Sequence, residues 1–288
     1  MSSQNTISKK MEKIKTLFQE SSDFAFATDD LKRILSQINN SENEFRSVAF
    51  EATAMVFAEK DILDNKSLNR WKQFLLEEAG AHSSQVHVGL GWAFAKHTID
   101  IQFYIGTVEP FMISSVLDGI GYYDGIFKQR QSINSKKISD KIDLAQLRHY
   151  DQGIGRSIWY SCLGNIPKVK EVIDSFPSAR HADLWRGIGI AFTYVGGFDE
   201  RMMNEINSIA TEHRSQLYAG AAFAAKGRAQ SSTINPETEL VCRSWFNLSA
   251  NQTVDTIDKL LKDSKEKSYD LWLSAIEKQL ISSSEIKI

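Results

Sequence analysis

A chain of 288 residues with 42% hydrophobic and 24% charged residues has ample apolar material for a folded core and is not composed like a disordered segment. Its formal charge of −2 lacks the basic surplus that neutralises phosphates, which argues against nucleic acid as a partner. Two cysteines, Cys162 and Cys242, each without a second Cys or a Cys/His cluster nearby, point to reduced packing residues rather than a structural zinc. No metal and no cofactor are expected.

Residues 1–10 are polar and lack an apolar segment followed by a small-residue cleavage site, so they do not read as a signal peptide. The longest apolar stretches, such as residues 187–197, fall far short of the roughly 18 residues that span a bilayer. The expectation is a cytoplasmic protein without a membrane span. Residues 9–18 and 30–38 show two short amphipathic helices, which make 1–44 an N-terminal helical cap. Residues 47–57 (SVAFEATAMVF) read as a degenerate first helix of a repeat domain covering 45–230.

Within that domain, Gly89-Leu90-Gly91, Gly119-Ile120-Gly121, Gly153-Ile154-Gly155 and Gly187-Ile188-Gly189 each run into an aromatic or small-residue helix. Gly220-Ala221-Ala222 is a weaker copy, and the first glycines are spaced 30, 34, 34 and 33 residues apart. Glycine costs up to about 1 kcal/mol inside a helix relative to alanine, so a recurring pair calls for a reason, and close helix–helix approach is the simplest. A dinucleotide-binding loop needs a preceding strand and a G-x-G-x-x-G spacing, and neither is present. Each glycine helix is followed by a break, such as Leu163-Gly164-Asn165-Ile166-Pro167, and a second amphipathic helix. Two helices per roughly 34 residues is the tetratricopeptide period. Trp185, Ile188, Gly189, Phe192, Gly196 and Phe198 fall where a tetratricopeptide first helix places large, small and turn residues. The expected fold is therefore all-α, a tetratricopeptide-like right-handed solenoid of helical hairpins. Residues 129–140 read as an exposed inter-repeat loop and 227–237 as a linker. Three closing helices over 240–248, 254–261 and 269–280 make 231–288 a C-terminal cap.

The run DGIGYYDGIF at 118–127, DQGIGRSIW at 151–159, RHADLWRGIGIA at 180–191 and GAAFAAKGR at 220–228 resembles a bacterial family of unknown function found beside enediyne polyketide synthase genes and in other natural-product clusters. The resemblance spans residues 45–230 and implies a role in specialised-metabolite biosynthesis, with no catalytic residues to carry over.

Polar side chains gather at repeat junctions: Arg148, His149, Asp151 and Arg156 in one copy, Arg180, His181, Asp183 and Arg186 in the next. One reading makes Asp151 and Asp183 acid, base or metal ligand, with His149 or His181 as proton shuttle and Arg156 beside them. The other has each Asp capping its helix and pairing with an Arg. His82, His87, His97 and Asp100 have no metal spacing, and Gly80 interrupts any helix carrying Glu77, Glu78 and His82. Asn204, Ser208 and Glu212 share a helix face and resemble the magnesium triad of class I terpene cyclases, with Asp61 and Asp64 upstream. The polar side of an amphipathic stripe is their ordinary explanation.

The first functional expectation is a helical-repeat protein that binds a protein partner or an apolar biosynthetic intermediate on its concave face. Trp92, Asp118, Tyr122, Tyr123, Trp159, Arg180, Trp185 and Tyr194 are its candidate contacts. The alternative is a cyclase- or lyase-like enzyme acting on a hydrophobic polyketide or isoprenoid through Asp151, Asp183, His149 and Arg156.

Overall fold

The computed structural model describes residues 3–41, 43–64, 67–77, 79–263 and 268–285. Glu78 lies outside them. The described residues form fifteen α-helices and no strand. Six long helices build the interior: α3 (Arg46–Leu63), α5 (Ser83–Lys96), α7 (Ile113–Phe127), α8 (Leu147–Ser161), α10 (Ser178–Val195) and α12 (Arg214–Gln230). Shorter elements intervene: α4 (Asn69–Glu77), α6 (Gln102–Ile105), α9 (Ile166–Asp174) and α11 (Glu200–Ile209). The ends of the chain add α1 (Ser3–Ala27), α2 (Leu31–Asn40), α13 (Pro236–Phe246), α14 (Ala250–Asp263) and α15 (Tyr269–Glu285).

Helix starts follow local chemistry. Asp30, Asn165, Asp199 and Asn235 each accept a hydrogen bond from the amide three residues on, at 2.9–3.2 Å, the ordinary work of an N-cap. Pro167 and Pro236 sit in first turns, where no amide hydrogen bond is lost. Gly196 and Gly197, at φ 66° and 80°, end α10 in the left-handed region that only glycine enters cheaply.

The long helices pack in chain order and parallel to one another. Along α5 and α7, Val88 lies against Gly119, and further on the Ala95 carbonyl accepts from Lys128 Nζ at 2.9 Å. Along α10 and α12, Gly189 lies against Leu217 and Tyr194 against Arg228. Parallel neighbours need a returning segment between them, and α9 and α11 supply it as short outer helices.

The glycine pairs are what let these helices meet. A Cβ on Gly121 would sit 1.9 Å from the Tyr150 carbonyl oxygen, one on Gly155 2.1 Å from that of Leu184, and one on Gly189 2.1 Å from that of Leu217. The first glycine of each pair abuts the preceding helix in the same way: Gly153 against Asp118, Gly187 against Gln152 and Gly220 against Arg186, each at 2.0 Å. Backbone meets backbone at every crossing.

An open solenoid would leave one concave face to solvent. Here the row bends until its last helix reaches its first. Arg228, with 0% exposure at the C-terminal end of α12, donates to the Glu44 carbonyl at 3.1 Å and to the Thr233 carbonyl at 2.9 Å, and also to that of Tyr194. Ser231 Oγ and His82 Nδ1 lie 3.1 Å apart beside it. The stretch 227–237 is thus a packed junction, not a bare linker, because a buried guanidinium has to be satisfied there. Residues 129–140 are likewise only partly a loop. They hold a π-turn, Arg130–Asn134, with Ser132 and Ile133 buried. The N-terminal helix is longer than the periodicity suggests, and its fully buried Ile7 packs into the turns at Gly164 and Gly197.

Candidate functional site

The six long helices, with α1 and α15, line a partly open cavity of about 720 Å³. Its lining follows from the glycine motif. The residue before the first glycine of a pair (Val88, Asp118, Gln152) and the residue after the second (Trp92, Tyr122, Arg156, Ile190) face the cavity. In α3, Ala52 and Ala54 stand in for the glycines, with Gly89 packed against Glu51 and Ala54, and Glu51 takes the position of Asp118 and Gln152. Phe223 takes the later position in α12. Two small residues held against a neighbouring backbone fix the rotation of each helix. Their flanking positions are then turned to the same side in most copies, Arg186 before Gly187 being an exception that pairs with Asp183 and Glu277 instead.

Most of the wall is apolar and aromatic. Phe18 of α1 packs on Trp92 with ring centroids 4.8 Å apart, and Tyr122 meets the same indole edge-on at 5.0 Å. On the other side, Trp272 of α15 contacts Phe111 and Phe223, both at 5.3 Å. A buried polar cluster around Arg156 interrupts this surface. The Arg156 guanidinium donates to Asp118 through Nη1, stacks over the Tyr122 ring at 4.2 Å and holds Nη2 4.0 Å from Glu51 Oε2. Gln152 Nε2 donates to the other Asp118 oxygen at 2.7 Å. Tyr122 and Tyr160 share a hydrogen bond, as do Tyr194 and Ser47.

Burial shapes the protonation of this cluster. It pushes the Glu51 carboxyl up to about 7, with Arg156 pulling against that shift and Asp118 adding to it. It also raises the phenols of Tyr122, Tyr160 and Tyr194 above their ordinary range, so they remain hydrogen-bond donors at any working pH.

The residues singled out from the sequence divide between two places. Trp92, Asp118, Tyr122, Arg156 and Tyr194 line the cavity. Tyr123 packs behind it on Trp92 and Phe127, at 5.7 and 4.8 Å. Trp159 and Trp185 are buried in the helix packing, Trp159 edge-on to Phe192 at 5.4 Å. Asp151, Asp183, His149 and Arg180 lie near the starts of α8 and α10, outside the lining. Asp151 is held by Arg180, through Nε at 2.8 Å and through Nη2, while Arg180 Nη1 donates to the Lys136 carbonyl at 2.9 Å. Asp183 accepts from Arg186 Nη2 at 2.6 Å. Neither aspartate is a cap, since α8 begins at Leu147 and α10 at Ser178. Both act as ion-pair partners inside their helices. His149 faces Tyr269 at 5.1 Å and Asp270 at 3.7 Å, and burial lowers it to about 4.

Asn204, Ser208 and Glu212 are exposed on the outer side of α11 and just beyond it. Asp61 accepts from the Trp71 amide and from Arg70, both at 3.1 Å, and Asp64 pairs with the same Arg70 at 2.8 Å. No group of His, Cys, Asp or Glu able to hold a metal ion occurs among the described residues. Glu51, Gln152, Tyr160 and Ser47 escape a reading focused on junctions. The signal for Glu51 is a carboxylate within the mostly apolar run 48–58 of α3, at the position Asp118 holds in its own copy.

No helix among the described residues is long and apolar enough to cross a membrane. No curated protein and no solved structure matches the chain. One family model does, described as a protein of unknown function (DUF1702), and it covers residues 1–280. With nearly the whole chain inside that match, the protein belongs to the DUF1702 family.

Proposed function

We propose that the protein holds one apolar small molecule of specialised-metabolite, polyketide-type biosynthesis in its interior. The observation that carries this reading is the cavity of about 720 Å³, within the range of roughly 300–1,000 Å³ typical of small-molecule sites. Its wall joins extensive aromatic surface to one convergent polar cluster, the usual division between affinity and orientation. Trp92, Tyr122 and Tyr194, three of the aromatic candidates for a concave docking face, line the cavity, which favours a small molecule over a protein partner. The short helices that follow α3, α5, α8 and α10 support a tetratricopeptide-like hairpin module, wound around the partly open cavity, while α7 reaches α8 through a π-turn and a 3₁₀ turn. The resemblance to proteins encoded in natural-product clusters supports the biosynthetic setting, and the cytoplasm is the address consistent with it.

An environment-sensitive apolar dye, 1-aminoanthracene, tests the binding. One dye per chain is expected, with fluorescence enhancement lost in Ala224→Trp and Val88→Phe, both of which fill the cavity. Unchanged dye binding in both variants, or no saturable binding by the parent protein, overturns the reading.

A further inference from the structure

Glu51 is the group in this cavity whose presence packing does not explain. It sits in mid-α3, 6% exposed, where a buried carboxylate is costly unless it is paired or given work. Its nearest cation is already committed: Arg156 binds Asp118 directly and reaches Glu51 only at 4.0 Å. Gln152 also serves Asp118. Glu51 is thus left with its oxygens against the cavity, in contrast to Asp151, which is tightly held by Arg180.

The surrounding hydroxyls complete a reactive arrangement. Tyr122 and Tyr160 of α7 and α8 bond to each other, and Tyr194 of α10 bonds to Ser47, one turn from Glu51 on α3. Each pair of hydroxyls spends one O–H hydrogen on the other and keeps the second for a ligand. Glu12 and Lys15 of α1 also line the cavity but are solvent-exposed, and Lys226 of α12 is paired with Asp258. Glu51 is then a buried cavity carboxyl near Arg156 and three tyrosines that lacks the close ion pair Asp118 makes.

We propose that Glu51 is an acid–base catalyst that moves a proton between carbons of an unsaturated apolar ketone bound in the cavity, with the Tyr122/Tyr160 and Tyr194 hydroxyls donating to the ketone oxygen. The proposal rests on the binding reading above. The Glu51 carboxylate takes a proton from the carbon beside the carbonyl. The C–H pair becomes a carbon–carbon double bond, and the carbonyl π pair moves onto oxygen, where the tyrosine hydroxyls stabilise it. The Glu51 carboxylic acid then returns the proton to the far carbon of the dienolate, and the carbonyl re-forms. The product is an isomer of the substrate with its double bond shifted, and no oxidant, reductant or other co-reactant is consumed. A carboxyl titrating near 7 suits both halves of this cycle, because a base poised close to the working pH is populated and still accepts the proton. The neutral Arg156–Asp118 pair leaves no spare positive charge, which fits a neutral ketone better than a phosphate or a carboxylate.

The test uses 2-tetralone, an apolar ketone with readily exchanged α-hydrogens, and the full chain in D₂O. Deuterium uptake is followed by mass spectrometry, and tetralone binding is followed by release of 1-aminoanthracene. The parent protein is expected to speed uptake on the order of 100-fold over buffer, as positioned acid–base groups do. Glu51→Gln should lose that acceleration while still exchanging dye for tetralone. Glu51→Asp should retain part of it, Tyr160→Phe should lose about tenfold, and the rate should rise with pH through about 7. Tetralone that displaces dye but exchanges equally fast with Glu51→Gln overturns this inference alone. Failure of tetralone to displace the dye, with dye still blocked by Ala224→Trp, overturns the ketone assignment and leaves the cavity reading intact. Failure of the dye itself removes both.

Discussion

Gly187→Ala is the sharpest test of how the six long helices are held. The added Cβ would lie 2.0 Å from the Gln152 carbonyl oxygen and 2.8 Å from Gly155 Cα, while ordinary contact begins at 3.4 Å. To relieve the first contact, α8 and α10 must separate by about 1.4 Å, the difference between 2.0 and 3.4 Å. They cannot pivot about a neighbouring point, because Gly155 presses the same pair of helices together at Leu184, where its own Cβ would be 2.1 Å from a carbonyl oxygen. The two walls are backbone, so no side chain can swing aside. Overpacking costs typically 1–3 kcal/mol and more where the surroundings are rigid, and the better helix propensity of alanine returns at most about 1 kcal/mol. A net loss of about 3 kcal/mol is expected, which corresponds to a melting midpoint lower by roughly 5–10 °C for a chain of this size. Thermal unfolding followed by far-ultraviolet circular dichroism reads it directly. Gly106→Ala is the matched control, since a Cβ there meets nothing within 4 Å and the backbone has an ordinary negative φ of −64°. It should be neutral or slightly stabilising. A Gly187→Ala protein that melts with the parent refutes the backbone-contact account of the glycine pairs.

Other consequences follow from burial of charge. Because the folded Glu51 carboxyl titrates near 7 rather than at 4.5, its ionisation opposes folding progressively from pH 4.5 to 7, up to about 3 kcal/mol above that window. Urea unfolding should therefore show Glu51→Gln gaining stability over the parent at pH 8 and much less of that gain at pH 5; equal effects at both pH values would contradict the burial argument. His82, His87 and His149, each lowered to about 4 by burial, act in the opposite direction. Unfolded histidine takes up protons below about 6.5 while these three do not, so the stability they allow is lost as pH falls from 6.5 toward 4. The melting midpoint should peak near neutrality, and a midpoint still rising at pH 5 would exclude three neutral buried histidines. Arg228→Met should cost about 3 kcal/mol or more, because three carbonyl oxygens at the α12–α3 junction lose their donor. A stability within 1 kcal/mol of the parent would show that the junction closes without it.

Asp151 and Asp183 illustrate how polar residues at a repeat junction mislead. Their spacing by one repeat puts them on neighbouring helices, as a shared site requires. Each then meets an arginine of its own, Arg180 or Arg186, and is consumed by it. The partner that leaves Arg156 in the cavity is Asp118, one helix back. Asp151–Arg180 and Asp118–Arg156 cross between adjacent helices, while Asp183–Arg186 lies within α10, and these pairings together decide which charges remain available for a ligand.

The sequence by itself determined that the chain is helical, where its glycine-bearing helices lie, and that their glycines serve close approach. Each of these is a property of a segment and its nearest neighbour. Low proline content, periodic apolar residues and a costly glycine repeated at regular spacing act locally, so they can be read along the chain. Trp92, Asp118, Tyr122, Arg156 and Tyr194 could be singled out for the same reason, as they flank or follow those glycines. What only the tertiary structure decided is which side of the row became an interior. That depends on the angle accumulated over successive crossings, on Arg228 joining α12 to the start of α3, and on α1 and α15 packing beside Trp92 and Phe223. Glu51 and Arg156 are 105 positions apart in the sequence and 4.0 Å apart in space. No local periodicity encodes that meeting, because it exists only once the row of helices has bent round on itself.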